Sequence, residues 1–270
     1  MSIHRASGAT AEPDRAVKRP RTALVRRPSP QLGDGIVTHI DRRPVDAALA
    51  ARQHDAYVAA LESAGWQVRW LPAADHLPDA VFVEDTVVVC DDLAVLGSPG
   101  APARRPEVAS MEQMVTELGL ETARIEGEGT LDGGDVLQAG STVYAGRSGR
   151  TNEDAICQLT RLLASRGRRV VPVALHGCLH LKSAMTALPD GSLTGIPEFV
   201  DTSVLPYLDV AREPAGAHVV VLGEKQLLVA AAAPRTAEQF RAEGYEVSVV
   251  DISEFEKLEG CVTCLSVLIP

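Results

Sequence analysis

Thr130-Leu131-Asp132-Gly133-Gly134-Asp135-Val136-Leu137-Gln138 is followed by the turn Gly140-Ser141, the apolar run Thr142 to Ala145, a helical pattern from Asn152 to Arg166 and a β-rich run from Arg169 to Leu175. The order is strand, tight turn, mate strand, helix, strand, as apolar periodicity and turn chemistry dictate. It recurs along the chain as a repeat of structure rather than of letters. Val81 to Cys90 gives a buried strand, Leu93 to Leu96 its hairpin mate, Pro106 to Leu118 a helix and Glu121 to Ile125 a strand. A third unit runs through Leu179 to Ala187, the turn Pro189-Asp190-Gly191, Ser192 to Ile196 and a weak helical stretch at Pro197 to Leu205. A fourth takes His218 to Leu222, the turn Gly223-Glu224, Gln226 to Ala230, the helix Thr236 to Glu243 and Glu246 to Val250.

The terminal strand Val262 to Ile269 has no helix after it, whereas Ala23 to Arg26, the helix Val45 to Ser63 and Val68 to Leu71 have no strand before them. Together they make a fifth unit closed by the two ends of the chain. Repeats that cannot bury a face alone and close in a ring form a propeller with ligands on its axis. The expectation is therefore a single α/β domain over residues 23–270, a fivefold pseudosymmetric propeller of ββαβ repeats. An ordinary open α/β sheet is the alternative. Residues 1–22, polar and basic, are expected to be a loose tail.

Composition narrows the function classes. The 270 residues carry a net charge of -10 and are 46% hydrophobic, which suits a globular chain and disfavours phosphate-backbone binding. No run approaches the roughly 20 apolar residues of a membrane span. Cys90, Cys157, Cys178, Cys261 and Cys264 are odd in number and mostly embedded in apolar runs, so a reducing cytoplasm is expected.

The polar residues inside the repeats carry the chemistry. Cys264 follows the glycine-led segment Glu259-Gly260-Cys261-Val262-Thr263 and adjoins the last strand, a fixed backbone suited to a reactive thiolate. His180, in Leu179-His180-Leu181-Lys182-Ser183, shares a face with Lys182 if the strand alternation holds. Asp132 and Asp135 flank paired glycines that let a backbone crowd close; alone, such a motif is more often a turn. Cys264, His180 and Asp132 each sit near the first strand of a unit, so a ring converges a nucleophile, a proton carrier and an orienting carboxylate. Glu84 and Asp85, with Asp79 upstream, put acids in an apolar run, where each needs a positive partner; one of the pair is expected to be structural. Convergent carboxylates suit a guanidinium fork. Arg104, Arg105 and Arg150 fall in loops after second strands and could hold an anion such as an α-carboxylate.

Taken together, Phe82-Val83-Glu84-Asp85, Leu131 to Asp135, Arg150-Thr151-Asn152, Leu179 to Lys182 and Glu259 to Cys264 resemble, in order and spacing, the dimethylarginine dimethylaminohydrolase family of the guanidine-modifying superfamily. The resemblance runs from about Ala23 onward and implies a fivefold α/β propeller. It also implies hydrolysis of methylated arginine to citrulline and a methylamine, with a small-molecule substrate and no nucleic acid, membrane, metal or organic cofactor. By matching position it makes Cys264 the nucleophile, His180 the general acid and base and Asp132 the carboxylate that orients it. Asp85 becomes the main guanidinium acceptor, Arg104 and Arg150 the carboxylate clamp, and Asp79, Glu84 and the backbone at Ile36 and Leu258 further substrate contacts. Some bacterial members have glutamate at Asp132 and glycine at Cys261. The glycine-containing segment Leu32 to Thr38 suggests a flap over the substrate. A homodimer is left open. Rival readings are an arginine deiminase or amidinotransferase of the same superfamily, a thiol-disulfide or zinc module using Cys261 and Cys264, with zinc on Cys264 and His180 chemically reasonable, and a non-catalytic propeller that binds a partner.

Overall fold

The computed structural model describes residues 19–270. The expected tail lies outside these residues as far as position 18; the first strand, β1 (Thr22–Val25), begins inside the remainder. Helix α1 (Ala47–Ser63) and strand β2 (Gln67–Trp70) follow. The next unit is β3 (Val87–Cys90), β4 (Leu93–Leu96), α2 (Val108–Glu117) and β5 (Glu121–Arg124). Then come β6 (Val136–Ala139), β7 (Thr142–Arg147), α3 (Glu153–Ala164) and β8 (Arg169–Ala174). The third unit has only strands, β9 (Met185–Ala187), β10 (Leu193–Gly195) and β11 (Asp209–Val210). The fourth is β12 (Val220–Gly223), β13 (Gln226–Ala230), α4 (Pro234–Ala242) and β14 (Glu246–Val250). After the short helix α5 (Ser253–Glu256), strand β15 (Val267–Ile269) completes the order.

These strands form five separate three-stranded sheets with one topology: an antiparallel pair and a third strand added in parallel. A parallel addition needs a crossover, which is the place of the helix in four of the five units. The fifth sheet is β15-β1-β2, in which Thr22 to Leu24 pair antiparallel with Ile269 to Val267. Ring closure therefore rests on the chain's two ends. Helix α3 shows how the sequence covers a sheet: Asn152 caps it by accepting the Ala155 amide at 3.0 Å, and Ala155, Ile156, Leu159 and Leu163 are buried. Their spacing is that of one helical face.

Three expectations need correction. Four apolar runs expected as unbroken strands are each interrupted by a 3-10 turn, at Val83–Thr86, Gly133–Asp135, Leu181–Ser183 and Val262–Leu265. The turns pack on one another near the axis: a Cβ on Gly133 would lie 2.1 Å from the Glu84 carbonyl oxygen. That closeness requires glycine and a turned backbone. The expected face shared by His180 and Lys182 is lost with the strand, because the turn sends the two side chains to different cavities. In the third unit, 3-10 turns at Pro197–Phe199 and Thr202–Val204 replace the weak helix.

The first strands β3, β6, β12 and β15 line an axial cavity of about 210 Å³, floored by Glu84 and Lys182. No helix among the described residues is long and apolar enough to cross a membrane. Leu159 is fully buried in the cluster between α3 and its sheet. Leu159→Ala should lower stability by about 2–5 kcal/mol in urea unfolding through transfer loss plus a cavity, without moving any cavity-lining side chain.

Candidate active site

At the other end of the axis a small cavity is lined by Ile36, Asp79, Phe82, Asp85, Arg104, Arg150, Leu179, His180, Leu258, Glu259, Gly260 and Cys264. Its volume, about 20 Å³, suits one water rather than an amino acid. The segment Leu32 to Thr38 covers it and is fastened by carboxylates. Asp79 accepts the Ile36 amide at 3.1 Å, while Glu259 accepts the Thr38 amide at 2.7 Å and the His39 amide at 2.6 Å. Arg42 adds bonds to the carbonyls of Gly33 and Gly35.

The 3-10 turns supply the reactive side chains. His180 precedes one turn and Asp132 another, and the His180 Nε2 lies 3.0 Å from the Asp132 Oδ2. Asp132 is fully buried and also accepts the Gly100 amide at 2.9 Å, which fixes its plane. The free ring nitrogen of His180, Nδ1, lies 3.8 Å from Asp85. A Cβ on Gly134 would stand 2.7 Å from that nitrogen and 2.8 Å from the Asp85 carboxylate, so the second glycine of the pair makes room for the site. The Cys264 sulfur is 3.2 Å from that of Cys261.

Burial and charge oppose each other here. Burial alone would strip the proton from His180, but the carboxylates of Asp85, Asp135 and the hydrogen-bonded Asp132 outweigh it and raise its pKa to about 9. Burial also works against the Asp85 anion; His180 and Arg104 overcome it and hold that carboxyl at about 2. Cys264 goes the other way. Its bond with Cys261, its burial and the nearby Glu84 and Asp85 carboxylates push the thiol well above its ordinary value. The same bond moves Cys261 in the opposite direction, well below its ordinary value. At neutral pH the site thus holds an imidazolium, a carboxylate and a sulfur pair whose proton resides on Cys264. The ligand atoms of Asp85, Asp132 and His180 lie within 4.8 Å of one another, a spacing a metal ion could use, but Arg104, Arg150 and the imidazole already face these carboxylates.

Of the residues singled out in the sequence, Cys264, His180, Asp85, Asp79, Arg104, Arg150, Ile36 and Leu258 meet at this cavity, with Asp132 directly behind His180. Glu84 does not. It was expected to touch substrate, yet it pairs with Lys182 at 2.6 Å and accepts the Thr263 hydroxyl at 3.0 Å. A carboxylate at that depth needs a cation, and burial still lifts it to about 7. Arg104 is at the cavity but not free: Asp85 and Glu107, the latter at 2.8 Å, bind its guanidinium, and the carbonyls of Asp79 and Phe82 complete its shell. Arg105 is exposed and bonded to the Pro99 carbonyl. Arg150, 3.6 Å from Asp132, keeps the more available guanidinium. Sequence reasoning missed Glu259 as the fastener of the covering segment. Its backbone φ of 61° is rare for a residue with a side chain, and no local pattern announced it.

A five-unit ring with a thiol, an imidazole and carboxylates at one end of its axis defines a class, the guanidine-modifying propellers. The family model described as arginine deiminase matches residues 72–233. A dimethylarginine dimethylaminohydrolase of Streptomyces coelicolor is 52% identical over 248 residues, covering 92% of this chain and 96% of the relative. Among solved structures, a histidine-to-glycine variant of a dimethylarginine dimethylaminohydrolase, as an adduct with S-methyl-L-thiocitrulline, superposes with a TM-score of 0.87 at 31% identity, covering 93% of this chain and 100% of that one. A cysteine-to-serine variant of the Pseudomonas aeruginosa enzyme with citrulline gives 0.84 at 31% identity, covering 93% and 99%. The chain belongs to the dimethylarginine dimethylaminohydrolase family.

The raised His180 makes a stability prediction. A group whose folded pKa of about 9 exceeds its ordinary 6.5 stabilises the fold fully below 6.5, and that contribution disappears as pH rises through 9. Urea unfolding across this window should show stability falling with pH in the wild type and a shallower fall in His180→Asn. Equal slopes would show that His180 gains no proton affinity on folding.

Proposed function

We propose that this protein hydrolyses Nω-methylated arginines to L-citrulline and the corresponding methylamine through a covalent intermediate on Cys264. The observation that carries the reading is the meeting of Cys264, His180, Asp85 and Arg150 at one cavity, in a chain 52% identical to a protein named for this reaction. Arg150 takes the α-carboxylate in this reading, supported by its position at the cavity, and Asp85, ionised and buried, takes the guanidinium. Arg104 then acts mainly by holding Asp85 in position. Glu84 supports the floor beneath the nucleophile through Thr263 and Lys182.

The undissociated thiol gives the substrate a chemical part in its own reaction. A guanidinium entering beside Asp85 brings the positive charge that Cys264 lacks, which favours loss of the thiol proton to solvent as the substrate binds. The thiolate adds to the guanidinium carbon. His180 donates a proton to the methylated nitrogen as the carbon–nitrogen bond breaks, releasing the amine and leaving an S-alkylthiouronium. A water, deprotonated by the now neutral imidazole, adds to the same carbon. The carbon–sulfur bond then breaks, giving citrulline and restoring the thiol. Asp132 keeps Nε2 of His180 engaged so that Nδ1 faces the reacting atoms. Five free cysteines, among them the paired Cys261 and Cys264, support a reducing compartment, the cytoplasm.

A citrulline colour assay with arginine, monomethylarginine and asymmetric dimethylarginine tests the reading, with product expected from the two methylated compounds; product from arginine alone points to a deiminase, and none at all to a binding protein. Cys264→Ser should make no citrulline while binding dimethylarginine with a Kd within several-fold of the wild type. Turnover by that variant would remove Cys264 as nucleophile. Arg150→Ala, which deletes a charge-assisted contact of about 1.5–3 kcal/mol, should raise KM roughly 10–100-fold with a smaller change in kcat.

A further inference from the structure

Asp135, the second acid of the Asp132-Gly133-Gly134-Asp135 run, is fully buried and has no ion-pair partner within 4 Å among the described residues. An isolated carboxylate at that depth is costly, so its contacts carry weight. One oxygen accepts the backbone amide of Leu181 at 2.9 Å, the residue directly after His180. The other accepts the Ser148 hydroxyl at 2.6 Å. The Ser148 oxygen in turn accepts the amides of Arg150 at 2.9 Å and Thr151 at 3.1 Å, and the Thr151 hydroxyl accepts the amide of Asp132 at 3.1 Å. A Cβ on Gly146 would stand 2.6 Å from the Asp135 carboxylate, so β7 leaves room for it.

We propose that Asp135 is a positioning residue that brackets the His180 turn and the Arg150 turn through its two oxygens, setting the separation between the proton carrier and the carboxylate clamp. It touches no reacting atom. Its effect passes through Leu181 to the imidazole on one side and through Ser148 to the Arg150 backbone on the other. The inference rests on the reaction proposed above, in which His180 moves the proton and Arg150 holds the substrate.

The charge of Asp135 acts along the same path. His180 faces Asp85 at Nδ1, Asp132 at Nε2, Asp135 from the turn before β6 and Cys264, Arg104 and Arg150 across the cavity, where Arg104 pairs with Asp85 and Arg150 with Asp132. Asp135 is the acid in this group that no arginine or lysine neutralises. Its burial raises it to about 6 against the pull of His180, Ser148 and Thr151, so at neutral pH it supports the imidazolium.

Two variants separate the arms of the bracket. Asp135→Asn keeps an acceptor for Leu181 but removes the charge and the acceptor for Ser148. Ser148→Ala cuts only the Arg150 side. In Asp135→Asn the His180 titration, followed by NMR of ring-labelled histidine and assigned by its loss in His180→Asn, should move down by roughly 1 pH unit, and the alkaline limb of kcat should move with it. In Ser148→Ala the titration should stay while KM rises several-fold, by more than kcat falls. The NMR titration needs no turnover, so a chain that makes no citrulline still tests the His180 arm. A folded Asp135→Asn protein in which His180 titrates as in the wild type overturns the proposal. If that variant does not fold, Ser148→Ala decides: an unchanged KM overturns the proposal and a raised KM supports it.

Discussion

The structure depends on holding an excess of buried negative charge at the axis of the ring. Asp79, Asp85, Glu107, Asp132 and Asp135 are all nearly or fully buried at or behind one cavity, and Arg26, Arg104, Arg150 and His180 stand against them. Five carboxylates face four cations. Ionised acids at such depth are tolerated only with hydrogen bonds or opposite charge, and several here receive backbone amides for this reason. The remaining deficit has the sign and location of a bound cation. The charge of the cavity is in this sense a property of the core, set by what the fold had to bury in order to close.

The same constraint explains the local backbone. Straight strands would carry alternate residues to opposite faces and scatter the acids. The 3-10 turns gather them at one end of the axis, with backbone amides turned toward carboxylates, as where Gly134 donates to Asp85 at 3.1 Å. The glycine pair at 133 and 134 lets two such turns touch. Each sheet has only three strands, and all five contribute to a shared centre. A change at that centre is therefore felt by several units, whereas one on an outer helix stays local.

The ring was legible in the sequence because the order of hairpin, helix and parallel strand is written in apolar period and turn residues, and the unpaired first and last segments supply each other's missing parts. The axis turns were not. Val81 to Cys90 and Val262 to Ile269 are continuous apolar runs, and burial on both faces erases the alternation that would separate strand from turn. Most candidate residues came together because they occupy equivalent places in the repeat. Glu84 and Arg104 changed character because their ion-pair partners, Lys182 and Glu107, lie on other elements or face inward for reasons only packing shows. Asp135 resembled turn punctuation until its two oxygens were seen to join separate units.

Closure over the cavity also hides charge. Asp79 and Glu259 direct their lone pairs to the amides of Ile36, Thr38 and His39. Each bond sets a backbone N–H dipole against a carboxylate at the rim, so the covering segment damps the negative field that the axis of a chain with net charge -10 would otherwise send outward. What field remains is shortened further by salt, and the covering segment serves as an electrostatic screen as well as a wall.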